Sequence, residues 1–119
     1  MNNLYRVIKE ETWTEVSQSQ HIPRCGNDNK KDRIHLNVLE AVETIAARYF
    51  EPEERPVVLE VDPSDFAEQI EWAEATAESP WRQPLANISN LPVSAVVKVH
   101  RLEHSLVDGK NEYKLTKET

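Results

Sequence analysis

Glycine is scarce in this sequence: its 119 residues include only two, Gly26 and Gly109. Neither begins a predicted helix, so a glycine-rich loop that cradles phosphates is excluded. Cys25 is the single cysteine, and it can form neither an internal disulfide nor a paired-cysteine zinc site. No apolar run reaches the roughly 18 residues that a membrane-spanning helix needs. We therefore expect no resident metal and no membrane partner.

The charge of the chain is acidic, with a net charge of −7. An acidic surface repels a phosphate backbone, so we expect no broad nucleic-acid binding. The first residues lack a basic region followed by a long apolar run, so we expect no signal peptide. Together with the single cysteine, these features predict a cytoplasmic protein. They identify no protein partner.

Apolar periodicity predicts short strands and helices that alternate irregularly within one domain. Strands are predicted at Leu4–Lys9, 33–36, 57–61, 70–74 and 94–102, and helices at Glu10–Ser19, 38–50 and Ser64–Gln69. The segments 21–32 and 78–92 are predicted to be irregular, because proline, glycine and asparagine interrupt them. We expect a compact α+β domain over residues 1–104, with a mixed or antiparallel sheet, one main helix at 38–50 and one or two short helices. Residues 105–119 are predicted to be a polar, flexible tail.

An ionisable ring, His35, lies between a short extended segment and the helix predicted at 38–50. Asn37 is predicted to cap that helix, with Glu40 completing a capping box. His35 is either a buried, hydrogen-bonded histidine or part of a ligand site. Arg6, on the first predicted strand, is either a surface residue paired with an acid or a ligand for phosphate.

Paired carboxylates are a second possible source of chemistry. Glu60 and Asp62 lie on one face of a predicted strand, where two acids can shift each other's pKa values. Such acids are more often simply solvated.

The order and spacing of four segments resemble a small, mostly bacterial family known as domain of unknown function 952. The segments extend from Leu4 to Leu102 and read LYRVIKEETW, DRIHLNVLEAVETIAARYF, VVLEVDPSDF and LPVSAVVKV. The sequence departs from the family at its first strand, where Arg6 replaces a histidine, and after the Ile-His pair, where Asn37 replaces a serine. The family's Pro-His-Leu-Tyr-Gly-Pro-Leu segment is also altered here. One alignment places Trp81 and Gln83 at its histidine and tyrosine, and another places Ala86 and Ile88 there.

The resemblance implies a fold related to ADP-ribosyltransferases and RNA 2′-phosphotransferases, which bind NAD in a cleft between two small sheets. On this view Arg6, His35, Asn37 and Trp81 would contact the cofactor, which would be NAD or another nucleotide. The backbone N–H groups of the predicted helix start at Val38 would also face an anion.

Three functions remain open from the sequence. The first is an NAD-dependent transferase in which Arg6 and His35 hold the ligand and Glu74 or Glu60 polarises its ribose. The second, which we favour, is a degenerate domain of that fold that binds a nucleotide without chemistry. The third is a protein-interaction module with no small-molecule site. The first predicts an acid in the cleft, the second a cleft without one, and the third a filled cleft or separated Arg6 and His35.

Overall fold

The computed structural model describes residues 2–24 and 26–116, without the side chains of residues 17, 18, 26 and 27. Cys25 and the last three residues of the predicted tail, 117–119, lie outside the described residues. Within this range the order of elements is β1 (Leu4–Lys9), α1 (Glu10–Ser19), β2 (His21–Ile22), α2 (Gly26–Lys31), β3 (Ile34–His35), α3 (Val42–Tyr49), β4 (Pro56–Val61), β5 (Ile70–Ala73), β6 (Gln83–Ala86), β7 (Leu91–Pro92), β8 (Val96–Val107) and β9 (Lys110–Leu115). Short 3-10 helices lie at Leu39–Ala41, Pro52–Glu54, Ser64–Gln69 and Val93–Ala95.

Antiparallel pairing is the rule in all three sheets of the described chain. The largest sheet has the strand order β1-β4-β8-β9, a second has the order β3-β6-β5, and β2 pairs with β7. The α+β class with few helices is confirmed. Of the two predicted sheet types, the antiparallel one is correct and the mixed one is not, because no pair of described strands runs parallel.

The four-stranded sheet is apolar on both faces, because β1 and β4 alternate side chains between two cores. One face packs into the larger core, which includes Leu4, Ile8, Val57, Leu59 and Val61. The other face packs under α3, in a cluster formed by Val7, Val42, Ala46, Val58 and Tyr113. Burial of each large apolar side chain contributes about 1.5–3 kcal/mol. The sheet therefore holds β1, which carries Arg6, rigidly between two packed layers.

The helix predicted at 38–50 is shorter than expected and begins differently. A 3-10 turn, Leu39–Ala41, precedes α3, and the residue before that turn makes no side-chain cap hydrogen bond. Asn37 is buried and instead exchanges two backbone hydrogen bonds with Tyr5, at 2.7 and 2.8 Å. The prediction of Asn37 as an N-cap is therefore wrong, because its backbone N–H and C=O groups are paired with Tyr5 of β1 instead. The 3-10 turn and α3 together cover residues 39–49, so the helix predicted at 38–50 is present over most of its length.

Two segments predicted to be irregular contain regular structure. Residues 21–32 include β2 and the short helix α2. Residues 78–92 include β7 and β6, and β6 is the central strand of its sheet. Pro84 lies within β6, where its missing N–H group argues against a strand, but its carbonyl still accepts from the backbone N–H of Leu36 at 3.0 Å. Tertiary pairing thus overrides the local signal.

Residues 105–115 form the end of β8, a turn and β9, where the sequence predicted a polar tail. The two central turn residues, Asp108 and Gly109, both have positive φ, which suits a two-residue hairpin. Tyr113 anchors β9 because its side chain is buried in the cluster under α3. In the described range, no helix is long and apolar enough to cross a membrane.

Candidate functional site

A cleft opens where the two larger sheets meet at β1. The backbone pairing of Tyr5 with Asn37 joins β1 to the residues that follow β3. Helix α3 contributes one wall through Ile45, Arg48 and Tyr49, and the segment before β6 contributes another through Ser79 and Trp81. The cleft has a volume of about 610 Å³, which is within the range of small-molecule sites.

Cationic side chains dominate the charge of this cleft. Six of its lining residues are basic, namely Arg6, Lys9, Arg24, Lys30, Lys31 and Arg48. No aspartate or glutamate is among the described residues that line it. The whole chain carries a net charge of −7, so the basic lining of the cleft is opposite in charge to the chain as a whole. Such a concave basic surface attracts anions.

Arg6 and Asp28 form a buried ion pair at the floor of the cleft. Nη1 and Nη2 of Arg6 donate to Oδ1 and Oδ2 of Asp28, at 3.2 and 2.6 Å. Nη1 and Nη2 also donate to the carbonyl oxygens of His35 and Pro23, at 2.7 and 3.3 Å. Arg6 is 5% exposed and Asp28 is 0% exposed. The pair joins α2 to β1, and because Arg6 is buried, the interpretation of Arg6 as a surface residue is wrong.

His35 is bound to the same carboxylate through two donors. Its backbone N–H donates to Oδ1 of Asp28 at 2.8 Å, and its ring Nδ1 lies 2.9 Å from that oxygen. The side chain of His35 is 17% exposed and lines the cleft. Arg6, Asp28 and His35 therefore form one hydrogen-bonded cluster, of which the histidine ring is the member most accessible to a ligand.

Aromatic side chains form the wall opposite this cluster. Tyr49 and Phe50 come from the end of α3, and Trp81 comes from the segment before β6. Arg48 holds the two walls together, because Nη1 donates to the Ser79 hydroxyl at 3.1 Å and Nη2 donates to the Glu78 carbonyl at 2.8 Å. Its guanidinium also lies 6.0 Å from the Trp81 ring centroid. Basic and flat apolar surfaces thus adjoin within one cleft.

The structure brings together the four residues predicted to contact a cofactor: Arg6, His35, Asn37 and Trp81 all line the cleft. It does not bring the two acids there. Glu60 lies on the opposite face of the sheet from Arg6, because it pairs with Tyr5 in the β1–β4 register. Glu74 is exposed just beyond β5 and does not line the cleft.

Glu60 has a local role on its own face of the sheet. Its carboxylate accepts from Nδ2 of Asn3 and lies 2.7 Å from Nε2 of His100, each through a different oxygen. These hydrogen bonds, that of Asn3 first, hold the pKa of Glu60 below its usual range despite partial burial. Asp62 bonds to Ser64 and does not pair with Glu60.

Sequence reasoning missed Asp28 and Arg48. Asp28 lay within an Asn-Asp-Asn run that is typical of a loop, and it is 22 residues from Arg6. Arg48 lies on the polar side of its helix, and only the apolar side of that helix was interpreted from the sequence. One signal was available for the cleft: the cluster of Lys30, Lys31 and Arg33 is the densest basic run in an acidic chain. Two of its three members, Lys30 and Lys31, line the cleft.

No group of three side chains that could hold a metal ion occurs among the described residues.

The sequence profile of a family described as "Protein of unknown function (DUF952)" matches residues 7–99. The crystal structure of protein CC0527 from Caulobacter crescentus is similar over 93% of both chains, with a TM-score of 0.73 and 22% identity. The solution NMR structure of CC0527 is similar over 93% of this chain and 91% of that chain, with a TM-score of 0.69 and 23% identity. No curated protein matches the chain. At this identity the likeness establishes a common fold and leaves function to be argued from the site.

Proposed function

This chain belongs to the DUF952 family of proteins of unknown function, and we propose that it binds a nucleotide or a related phosphorylated small molecule in the cleft beside His35. NAD is the first candidate, because the resemblance to ADP-ribosyltransferases and RNA 2′-phosphotransferases implies an NAD cleft between two small sheets. The observation that carries the proposal is the charge of the cleft, whose described lining includes six basic residues and no acid.

The basic residues of the cleft divide into two groups. Arg6 pairs with Asp28, Lys9 lies 3.1 Å from Glu54, and Arg24 lies 2.8 Å from Asp32. Lys30, Lys31 and Arg48 are exposed and have no ion pair with any described residue. The second group is therefore the better candidate for phosphate oxygens, because its charges are not already matched by protein carboxylates.

One further donor at the cleft is available to a ligand. Nε of Arg6 is buried and has no hydrogen-bond partner among the described residues. A buried unpaired donor costs about 1–3 kcal/mol. An acceptor atom from a ligand that reaches it would recover part of that cost. Tyr49, Phe50 and Trp81 provide flat apolar surface on which a base can stack.

Binding without chemistry is the mode that the geometry supports best. A transferase of the ADP-ribosyltransferase type would need a carboxylate near the ribose, in the role considered for Glu60 or Glu74. Glu60 lies on the far face of the sheet and Glu74 lies outside the cleft. Asp28 is fully buried beneath Arg6 and His35. This arrangement favours a degenerate, ligand-binding domain over a transferase.

Titration of the isotope-labelled protein with NAD, followed by amide chemical shifts, tests the proposal. We expect shifts localised at Arg6, His35, Arg48 and Trp81. The variant Lys30→Gln with Lys31→Gln should bind NAD about tenfold more weakly, since two charge-assisted contacts each contribute about 0.5–1 kcal/mol at an exposed site. The matched control is Lys110→Gln with Lys114→Gln, which removes the same charge from the exposed β8–β9 hairpin.

Two results would count against nucleotide binding. The first is the absence of localised shifts at millimolar NAD, ADP-ribose and AMP. The second is equal weakening by both double variants, which would mean that only the net charge of the chain matters. High salt should also weaken binding, because the exposed cationic contacts are screened.

A protein-interaction function is the alternative, and one observation favours it. At the tip of the β8–β9 hairpin, Leu106 is 67% exposed and Val107 is 44% exposed. Exposed apolar surface of this kind is what a protein partner would bury. The same titration separates the two functions, because the hairpin lies outside the cleft and an interaction module predicts no shift with any nucleotide.

A further inference from the structure

We propose that His35 accepts a hydrogen bond from a ligand hydroxyl, and that Asp28 is the positioning residue that holds the imidazole in the tautomer this requires. The inference rests on the proposed function and adds a second feature to the ligand. Beside a phosphate that meets the basic residues, the ligand carries a hydroxyl group that meets Nε2 of His35. A phosphorylated sugar or a ribonucleotide has both features.

Asp28 can only accept hydrogen bonds in this cluster. It is a fully buried carboxylate that Arg6 binds through both nitrogens, at 3.2 and 2.6 Å. A carboxylate paired in this way with a guanidinium has lone pairs and no proton to donate. The backbone N–H of His35 adds a third hydrogen bond at 2.8 Å. Any ring nitrogen of His35 that approaches Asp28 must therefore carry a hydrogen.

That requirement determines the tautomer of His35. Nδ1 lies 2.9 Å from Oδ1 of Asp28, so Nδ1 is the protonated nitrogen. In a neutral imidazole the other nitrogen, Nε2, then carries a lone pair and acts as an acceptor. Nε2 has no hydrogen-bond partner in the part of the chain that the structure describes, and the ring lines the cleft. Nε2 of His35 is thus an acceptor in a cleft whose charged side chains are all donors.

The charges around His35 make this role distinguishable from phosphate binding. Asp28 reaches His35 from α2 and Arg6 from β1. The same cleft is bordered by Lys9, Arg24, Lys30, Lys31, Arg48 and the titratable Tyr49. If His35 served as one more cation, it would strengthen the binding of every phosphate ligand, with or without hydroxyl groups. If it serves as an acceptor, removing the ligand hydroxyl weakens binding while the phosphate contacts with the basic residues remain.

Nitrogen chemical shifts of the His35 ring in the wild-type protein test the tautomer directly. At pH 7.5 we expect a protonated Nδ1 and an unprotonated Nε2. A ring protonated on Nε2 alone, or on both nitrogens, overturns the proposal. This measurement needs no ligand and no substitution, so it does not depend on the stability of a variant.

Affinities for AMP and 2′,3′-dideoxyadenosine 5′-monophosphate, measured by calorimetry, test the hydroxyl. At pH 8 the wild-type protein should prefer AMP by about threefold to tenfold, the usual worth of one neutral hydrogen bond. His35→Phe should bind both nucleotides equally, whereas His35→Gln, which keeps an acceptor, should retain part of the preference.

The role of Asp28 is tested by Asp28→Ala, which removes the acceptor that faces Nδ1 at 2.9 Å. If this variant folds, the ring should no longer be held in the Nδ1-protonated form, and its nitrogen chemical shifts should report a population protonated on Nε2. Full protonation on Nδ1 in Asp28→Ala, or retention of the preference for AMP in His35→Phe, overturns the proposal. Equal binding of the two nucleotides by the wild-type protein at pH 8 overturns this inference alone. Failure of both nucleotides to bind overturns the proposed function and this inference with it.

Discussion

Replacing Arg6 with methionine should destabilise the protein strongly. The substitution keeps an unbranched side chain of similar length but removes the cation that faces Asp28. The Asp28 carboxylate, 0% exposed, then loses both guanidinium donors and keeps the His35 donors at 2.8 and 2.9 Å. Breaking one half of a buried ion pair costs about 3–5 kcal/mol. We therefore expect a fall in the melting temperature of about 10–20 °C for a chain of this length.

Urea denaturation followed by tryptophan fluorescence measures this loss of stability. The matched control is Arg33→Met, which removes an arginine from a comparable hydrogen bond to Glu71 at 2.9 Å. There the side chains of Arg33 and Glu71 are 28% and 56% exposed, so we expect a loss below about 1 kcal/mol. Equal effects of the two substitutions would refute the argument that burial makes the Arg6–Asp28 pair costly to break.

The double variant Arg6→Met with Asp28→Leu separates the cost of a stranded charge from the value of the pair. Removing both charges leaves no unpaired carboxylate, so the double variant should be more stable than Arg6→Met alone. Recovery should be partial, because the two His35 donors lose their acceptor. A double variant as unstable as the sum of the single variants would contradict this account.

Three further predictions concern stability away from the cleft and are all measured by urea denaturation. The pKa of Glu60 is lowered, so its stabilising effect is present above its unfolded pKa and lost as pH falls through its folded pKa. The difference in stability between wild type and Glu60→Gln should therefore shrink as pH falls below the ordinary glutamate pKa of about 4.3, and a constant difference would contradict this. Leu59→Ala should cost about 2–5 kcal/mol because Leu59 is 0% exposed, whereas the control Leu106→Ala should change stability by less than about 0.5 kcal/mol. Gly109→Ala should cost about 1–2 kcal/mol from its φ of +78° alone, because no atom lies within 4 Å of an added Cβ; an increase in stability would refute this.

Two elements with strong local patterns were predicted with the bounds that the structure shows. β1 and α1 agree in full, because alternating apolar residues and acids in a first helical turn act between neighbours in the chain. β4 lies between β1 and β8, as the near-continuous apolar run at 57–61 indicates. β6 was missed because Pro84 weakens its local signal. The hairpin at 105–115 was missed because the segment is mostly polar and only one of its side chains, that of Tyr113, is buried.

The candidate site was predictable only in part. His35 and Arg6 were selected from their positions on extended segments and from a family resemblance, and both line the cleft. Their common partner Asp28 was not selected, because nothing in a polar run of six residues distinguishes a carboxylate that will be buried from one that will be solvated. The exposed cations Lys30, Lys31 and Arg48 could be assigned to the site only once the tertiary structure showed that they border the same cleft.

The sequence by itself determined the class of the fold, its strongest strands and helices, and the absence of a glycine-rich phosphate loop. These properties depend on residue type and on spacing along the chain. Tertiary structure alone decided which of 21 acidic residues pairs with Arg6, which face of the sheet carries Glu60, and where the basic residues gather. The reason is physical: electrostatic and hydrogen-bond energies depend on distance in space and on burial, and neither is encoded by separation along the chain.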